Sequence, residues 1–244
     1  MKSTAVEEAV TEALKSNFEH IEAQIAAACR DAGRPRSEVT LMAVSKMHPA
    51  SAIVAAEALG VRVFGENKVQ EFQEKRTQLP ASRAEFHLIG HLQSNKAARA
   101  AELFSSIDTL DSLPLAERLN QAALRLGRRL QVLLEIKLSP EAAKSGIESD
   151  SPELQQLLEH LPGLTGVELR GLMTVPPFLE DPAAVKPYFR KLRLLRDQLA
   201  TAHPRLSFEE LSMGMSHDFP AAIGEGATQV RIGTALFGPR NYLK

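Results

Sequence analysis

The chain has 244 residues, of which 44% are hydrophobic and 24% charged, and its formal net charge is -1. This balance is typical of a globular protein and excludes the basic character that bulk binding to nucleic acid or anionic membranes requires. The single cysteine excludes an intramolecular disulfide, and no apolar stretch approaches the roughly 20 residues of a membrane span. We expect a cytoplasmic protein without a targeting signal and without nucleic-acid or membrane partners.

The first predicted element is a long amphipathic helix. Apolar residues recur every three or four positions over residues 6–29, which is the helical period. Thr4 and Glu7 form a capping box in front of it, and Gly33 ends it. We expect residues 1–36 to pack as a separate helix on the elements that follow.

Beyond this helix, short apolar segments alternate with longer amphipathic ones. The apolar segments predict strands at residues 39–46, 61–66, 85–90, 105–110, 130–138, 167–174, 208–213 and 228–233. The amphipathic segments begin at helix N-terminal signals, namely Pro49, Asn67, Ser94, Ser112, Ser151, Asp181 and Asp218. Nearly continuous apolar strands separated by helices indicate a parallel sheet that is covered by helices.

Eight strands and this length predict an α/β fold, a single (β/α)8 TIM barrel with an extra N-terminal helix. An open doubly wound sheet is the alternative, but no G-x-G-x-x-G turn follows the first strand. No linker or repeat divides the chain, so we predict one domain over residues 1–244. In such a barrel, reactive groups collect at the C-terminal ends of the strands, and phosphate binds after strands seven and eight.

Lys46 is the candidate reactive group at that end of the barrel. It closes the first predicted strand behind mostly apolar residues, where a charged ammonium is costly and the neutral amine is favoured. A neutral lysine amine forms Schiff bases with aldehydes. The alternative is a solvated surface lysine, which is the common case for this residue type. Its place at a buried strand end favours the reactive amine.

Small polar residues follow the last two predicted strands, at residues 212–216 and at Gly233 and Thr234. The first stretch could simply cap the next helix. Two such loops on neighbouring strands favour an anion site, because glycines let backbone N–H groups approach phosphate and hydroxyls add donors. A lysine and an anion site at one barrel end suit an aldehyde that carries a phosphate, and pyridoxal 5'-phosphate (PLP) is such a molecule.

Three further polar residues accompany the predicted strands. Arg231 lies inside an apolar strand, where it forms a structural ion pair or, beside a PLP ring, donates to the pyridine nitrogen. Asn67 is a helix N-cap, a ligand contact or both. His91 could be a general acid or base, although no partner residue is near it in sequence. The seven histidines show no metal-binding spacing.

Several ordered motifs together resemble the YggS/PROSC family of pyridoxal phosphate homeostasis proteins. They are Ala-Val-Ser-Lys at residues 43–46, Phe-Gly-Glu-Asn at 64–67, the run at 86–96, Lys-Ser-Gly-Ile at 144–147, Leu-Arg-Gly-Leu-Met-Thr at 169–174, Leu-Ser-Met-Gly-Met-Ser at 211–216 and Val-Arg-Ile-Gly-Thr at 230–234. The resemblance covers almost the whole chain. Around Met47 and His48, and at residues 139–143, the sequence departs from the common form of the family.

The resemblance implies a barrel similar to the N-terminal domain of alanine racemase, with PLP held as an internal aldimine and no established catalysis. Lys46 then corresponds to the Schiff-base lysine and Asn67 to a residue near the PLP ring. Arg231 corresponds to the arginine that faces the pyridine nitrogen. The phosphate cradle corresponds to Ser212, Met213, Ser216, Gly233 and Thr234.

Two classes of function follow from this site. The first is a monomeric, non-catalytic PLP carrier or buffer that can pass PLP to apo-enzymes. The alternative is an amino-acid racemase, which needs a second base such as a tyrosine. The two tyrosines lie in a predicted outer helix, at Tyr188, and in the tail, at Tyr242, and the chain ends at Lys244 directly after the last strand. A Schiff-base aldolase without PLP is a third possibility, but it leaves Arg231 unexplained.

Overall fold

The structure, a computed structural model, describes residues 2–79, 81–138 and 145–239. Its strands are β1 (Thr40–Val44), β2 (Val63–Glu66), β3 (Glu85–Leu88), β4 (Ser106–Leu110), β5 (Leu130–Lys137), β6 (Ile147–Glu148), β7 (Val167–Met173), β8 (Glu210–Met215) and β9 (Gln229–Ile232). Its helices are α1 (Lys2–Asp31), α2 (Ala50–Ala58), α3 (Val69–Arg76), α4 (Ala97–Leu103), α5 (Leu113–Arg125), α6 (Pro152–His160), α7 (Lys186–Ala202), α8 (Phe219–Gly224) and α9 (Thr234–Phe237).

The strands form a closed parallel barrel. Within the described residues, the order around the barrel is β1, β2, β3, β4, β5, β7, β8 and β9, and β9 pairs again with β1. Helices connect most successive strands and cover the outside, so the predicted (β/α)8 barrel is confirmed. The two-residue strand β6 pairs with β5 and was not predicted, because two residues carry no periodic signal.

Strand β8 differs most from its prediction, since it starts and ends two residues later. The pairing register between β8 and β9 shifts between Ser212 and Met215. Gly214 lies in this irregularity with a φ of 91°, a conformation that glycine adopts readily and other residues avoid. The strand therefore continues through a run of small residues that the sequence alone suggests is a loop.

The predicted N-terminal helix is present and packs on the outside of the barrel. Helix α1 contacts α2, α8 and α9. Gly33, with a φ of 66°, ends the helix as predicted. Arg34 then donates to the carbonyl oxygens of Ile223 at 3.2 Å and Ala227 at 3.0 Å, which fixes the entry to β1 beside α8. Helix α1 thus covers the seam between the first and last strands.

The apolar core lies between the barrel and its helices. Alternate residues of each strand point outward into this layer, for example Leu41 and Ala43 of β1 or Val230 and Ile232 of β9. Buried polar and charged residues occupy the intervening positions of β3, β4, β8 and β9, namely His87, Ser106, Asp108, Ser212, Gln229 and Arg231. The barrel interior therefore contains a cluster of polar groups. No helix in the described part of the chain is long and apolar enough to cross a membrane.

Candidate functional site

Lys46 lies at the C-terminal mouth of the barrel, just beyond β1. The outward neighbours Leu41 and Ala43 pack in the apolar core, and the Ser45 hydroxyl donates to Glu66 at 2.8 Å on the helix side of the strand. Lys46 lies in the turn that follows β1, at the end of the barrel where the strands terminate. The side chain is half-buried. The strand ends at Val44, two residues earlier than predicted, and the role of Lys46 as the reactive amine stays a prediction.

Arg231 lies on β9, the strand beside β1, and is fully enclosed by the barrel. Its Nη1 donates to the Ser212 hydroxyl at 2.8 Å, and its Nη2 donates to the Thr174 carbonyl oxygen at 2.8 Å. Burial lowers the pKa of Arg231, and the carboxylates of Asp108, Asp218 and Glu135 oppose this effect. The guanidinium is thus held by neutral acceptors at a fixed position and balanced by carboxylates at longer range.

A chain of hydrogen bonds continues from Arg231 down the barrel axis. Gln229 Nε2 donates to the Ser212 hydroxyl at 3.0 Å and to Asp108 Oδ2 at 3.3 Å. His87 Nδ1 lies 3.1 Å from the same Asp108 oxygen. We call these five residues, Arg231, Ser212, Gln229, Asp108 and His87, the interior ladder. It links the mouth to the N-terminal half of the barrel.

The two charged groups at the lower end of the interior ladder shift each other's protonation. Burial disfavours the His87 cation, but the Asp108 carboxylate, its hydrogen bond to Nδ1 and the Glu85 carboxylate 3.8 Å from Nε2 raise the pKa of His87 to about 10. Burial also disfavours the Asp108 anion, but the His87 charge, with hydrogen bonds from His87 and Ser106, lowers the pKa of Asp108 overall. The pair is therefore ionised at neutral pH.

The anion side of the mouth forms where β8 and β9 end. The Ser216 hydroxyl accepts hydrogen bonds from the backbone N–H groups of Gly233 at 3.3 Å and Ala235 at 3.4 Å. Thr234 lies between them and is exposed. Three of the predicted cradle residues, Ser216, Gly233 and Thr234, are thus brought together. Two N–H groups and two hydroxyls in one place can receive an anion.

The other two predicted cradle residues have different surroundings. The Ser212 hydroxyl is fully buried and accepts from Arg231 and Gln229 within the interior ladder. The Met213 side chain is fully buried in the outer apolar core, so a ligand at the mouth could contact only its backbone. A direct phosphate contact for either residue stays a prediction.

Asn67 follows β2 at the mouth. Its Oδ1 atom is buried and has no hydrogen-bond partner in the described part of the protein. The N-cap position of α3 belongs to Lys68, and no side chain caps this helix, so the N-cap interpretation of Asn67 is wrong. Gly90, two residues after β3, approaches so closely that a Cβ there would collide with the Asn67 backbone. Asn67 is thus fixed in place with a buried, unused acceptor, and its contact with a ligand stays a prediction.

Glu135 of β5 is a further buried carboxyl near the mouth, which the sequence analysis missed. Ser145 donates to its Oε1 at 2.9 Å, and its Oε2 is buried without a partner among the described residues. Burial raises the pKa of Glu135. Strand alternation puts it on the inward face, on the same side as Arg231. A signal was present, since Glu135 interrupts an otherwise apolar run.

The remaining candidates are placed as follows. His91 is largely exposed, and its Nδ1 lies 3.6 Å from Asp111 Oδ2. Tyr188 lies on the outer helix α7, packed against the apolar core. Lys144 and Tyr242 lie outside the described residues. Within those residues, no group of three or more His, Cys, Asp or Glu side chains could hold a metal ion.

Sequence reasoning also missed a buried ion cluster beneath the Lys46 turn. Lys75 of α3 contacts Glu66 at 2.8 Å and Glu71 at 2.7 Å. We call Glu66, Glu71 and Lys75 the outer ion cluster. Two signals could have revealed it: Glu66 closes a buried strand, and Glu71 and Lys75 have the i,i+4 spacing of a helical ion pair.

Comparison with known proteins identifies the family. The model of the alanine racemase N-terminal domain matches residues 13–241. The chain is 45% identical over 237 residues to the pyridoxal phosphate homeostasis protein of Vibrio cholerae, covering 94% of this chain and 97% of that protein. It is 43% identical over 219 residues to the protein of the same name from Aquifex aeolicus, covering 90% and 95% of the two chains.

Solved structures agree with these relatives. PipY of Synechococcus elongatus PCC7942, solved with PLP bound, superposes with a TM-score of 0.82 at 41% identity, covering 92% of this chain and all of that one. Alanine racemase of Clostridium difficile 630 superposes with a TM-score of 0.69 at 17% identity, over 92% of this chain and 56% of that chain, which shows a shared fold. The chain therefore belongs to the pyridoxal phosphate homeostasis protein family, with the fold of the alanine racemase N-terminal domain.

Proposed function

We propose that this protein binds PLP at the C-terminal mouth of the barrel, through a covalent bond to Lys46, and acts as a non-catalytic PLP carrier or buffer. The arrangement of Lys46 and Arg231 at one mouth, beside the N–H groups at Ser216, carries this proposal. PipY, which has PLP bound, supports the choice of ligand. PLP supplies an aldehyde that condenses with a lysine amine, with loss of one water molecule.

The residues of the mouth fit the separate parts of PLP. The N–H groups of Gly233 and Ala235 now share one hydroxyl acceptor, that of Ser216, at the long distances of 3.3 and 3.4 Å. A phosphate would offer these donors stronger, charge-assisted bonds. The free Oδ1 of Asn67 would accept from the ring or its substituents. The anion side of the mouth is thus polar, and the hydrogen-bonded interior ladder lies beneath it.

Arg231 is the group that favours storage over turnover. The interior ladder holds it, and a guanidinium does not give up its proton in proteins. Facing the pyridine nitrogen, it would donate a hydrogen bond and keep that nitrogen unprotonated. An unprotonated ring withdraws electrons poorly, so carbanion chemistry is disfavoured while the covalent bond to Lys46 still forms.

Racemisation is the activity that this proposal excludes. A two-base racemase needs a second proton donor opposite the lysine, and the tyrosine of the described region, Tyr188, lies on an outer helix. We expect no proton exchange at the α-carbon of amino acids. The proposal also includes a monomer, a single domain over residues 1–244, a cytoplasmic location and apo-enzymes as recipients of PLP.

The test of this function is covalent labelling. The protein is incubated with PLP, reduced with borohydride and digested, and the labelled peptide is identified by mass spectrometry. We expect one label, on Lys46, and a visible absorbance band that Lys46→Ala abolishes. Incubation with L- and D-alanine in deuterated water should give no α-deuteration. Lys46-dependent deuteration would contradict the carrier role, and a label elsewhere would contradict the site.

A further inference from the structure

The turn that carries Lys46 is held from outside the barrel by the outer ion cluster. Resting on the proposed function, we propose that Lys75 and Glu71 are positioning residues, which fix the backbone on both sides of Lys46 so that its amine meets the PLP aldehyde. Neither residue contacts PLP in this proposal. Their effect is on where the Lys46 amine lies.

The first contact is to the residue before Lys46. Lys75 Nζ donates to the Ser45 carbonyl oxygen at 2.8 Å, and the same oxygen accepts the His48 N–H at 3.0 Å. The Ser45 hydroxyl donates to Glu66 Oε1, which also contacts Lys75. The hydroxyl and the carbonyl oxygen of Ser45 are therefore both bonded to the outer ion cluster.

The second contact is to the residue after Lys46. The Met47 backbone N–H donates to Glu71 Oε1 at 2.6 Å, and Lys75 holds that carboxylate at 2.7 Å. Met47 has a φ of 63°, a left-handed conformation that costs a residue other than glycine about 1 kcal/mol or more. Such a conformation persists where its surroundings hold it. The Glu71 carboxylate supplies that restraint.

The outer ion cluster is largely buried, so its charges interact strongly with one another. The side chain of Glu66 is fully buried and that of Lys75 is 10% exposed. Burial raises the pKa of Glu66 in spite of Lys75, and the second oxygen of Glu66 has no partner in the described structure. Burial also acts on Glu71, but the Lys75 and Met47 hydrogen bonds lower the pKa of that group overall. Lys75 is thus the cation that two carboxylates and one carbonyl share.

Different elements support the phosphate side of the mouth and the Lys46 turn. The phosphate side of the mouth is built by β8 and β9, whereas the outer ion cluster touches only the turn after β1 and the end of β2. Loss of the cluster should therefore impair the bond to Lys46 and leave phosphate recognition intact. A probe that carries the phosphate and ring but has no aldehyde separates these two steps. Pyridoxamine 5'-phosphate is such a probe.

The principal variant is Glu71→Ala, because Glu71 is partly exposed and its removal should leave the fold intact. We expect PLP affinity to fall about tenfold, which corresponds to one hydrogen bond to a charged acceptor. Affinity for pyridoxamine 5'-phosphate should be unchanged. Glu71→Gln retains an oxygen for the Met47 N–H and should restore PLP affinity. Glu74→Ala, an exposed residue of the same helix with the same charge change, is the matched control.

Lys75 is tested together with its buried partner. Lys75→Met alone leaves the Glu66 carboxylate buried without its cation, so the double variant Lys75→Met with Glu66→Gln is compared with Glu66→Gln. We expect the added Lys75 change to weaken PLP binding and to spare pyridoxamine 5'-phosphate binding. If the single variant does not fold, this pair decides for Lys75.

Three outcomes separate the two proposals. Wild-type protein that is not labelled at Lys46 contradicts the proposed function itself. Labelling at Lys46 with wild-type PLP affinity in Glu71→Ala and in the double variant contradicts the positioning role alone. Equal losses for PLP and pyridoxamine 5'-phosphate show a general loosening of the mouth, and this also contradicts the positioning role.

Discussion

The two ends of the barrel are both rich in polar residues, yet those residues are satisfied in different ways. At the N-terminal end, Arg170 contacts Glu168, Glu209 and Glu210 at distances of 2.9 to 3.6 Å. A cavity of about 420 Å³ there is lined by Arg170, Glu209 and Glu210 among others. There the charged groups pair with one another. At the C-terminal mouth, Asn67 Oδ1 and Glu135 Oε2 are buried with no partner in the described chain.

The difference indicates what each end does. Buried polar groups are normally hydrogen-bonded, so partnerless ones near a strand terminus mark a place where something else binds. Two atoms at the N-terminal end, His87 Nε2 and Ser207 Oγ, also have no hydrogen bond among the described residues. The Glu85 carboxylate is 3.8 Å from His87 Nε2 and compensates its charge, and the Ser207 hydroxyl is uncharged. We therefore expect substitutions at the N-terminal end of the barrel to alter the free energy of unfolding, and substitutions at the C-terminal mouth to alter PLP binding.

The largest expected effect is that of Asp108→Asn on stability. This change removes the carboxylate that serves both His87 and Arg231, and breaking one side of a buried ion pair costs about 3 to 5 kcal/mol. Urea unfolding of the protein without PLP measures it. Asp111→Asn, near the mouth beside the exposed His91, should cost far less. Equal losses in the two variants would remove the distinction between the ends.

The second effect is the pH dependence of stability that His87 produces. Its pKa is about 10 in the folded protein and 6.5 in the unfolded chain, so the folded state holds the proton more tightly. Its stabilisation is complete below about pH 6.5 and is lost as the pH rises toward 10, at up to about 1.4 kcal/mol per pH unit. Unfolding measured from pH 6 to about 10 should show this decline, and His87→Gln should flatten it. Parallel curves for the two proteins would contradict the shift.

The third effect concerns binding at the mouth. Ser216→Ala and Thr234→Ala each remove a hydroxyl donor to phosphate, so PLP affinity should fall by about 1.5 to 3 kcal/mol. The free energy of unfolding should change by no more than about 0.5 kcal/mol. Titration with PLP and urea unfolding give the two quantities. Ser207→Ala, which precedes β8, is the control and should leave PLP affinity unchanged. Wild-type affinity in both mouth variants would place the phosphate elsewhere.

The smallest expected effect is that of Asn67→Ala, which should lower PLP affinity without lowering the free energy of unfolding. The Asn67 acceptor is unused in the protein alone, so the free energy of unfolding should be unchanged or slightly higher without it. PLP affinity should fall by about 1 kcal/mol if that acceptor bonds the ligand. Calorimetric titration and unfolding on one preparation test both parts. A destabilised Asn67→Ala protein with normal PLP affinity would reverse the assignment.

The sequence predicted the barrel well because its strands are buried on both faces and therefore give short, dense apolar runs. It also predicted that Lys46, Asn67 and Arg231 accompany strand ends or interiors. It misjudged β8, because the glycine that allows the irregular pairing also looks like the start of a loop. The sequence also did not show that the Ser212 hydroxyl contacts Arg231, whereas its predicted contact with phosphate stays a prediction.

Sequence analysis missed the outer ion cluster because its two signals, Glu66 at a strand end and the i,i+4 pair Glu71 and Lys75, are also common at protein surfaces. Glu71 and Lys75 have the spacing of a solvent-exposed helical pair, and only the packing of α3 over the end of β2 buries Lys75. A similar limit applies to Asp108, whose partner His87 is 21 residues away in the chain. Contacts between neighbouring strands decide such pairs, and the local pattern does not contain them.

The interior ladder also determines how the mouth responds to its chemical surroundings. Asp108 keeps its negative charge well below neutrality, His87 keeps its positive charge to a pKa of about 10, and Arg231 is not titrated in between. The charge of the interior ladder is therefore constant between the pKa of Asp108 and that of His87. This suits a protein that holds PLP, because a change of pH would not alter PLP binding through the charges of the interior ladder.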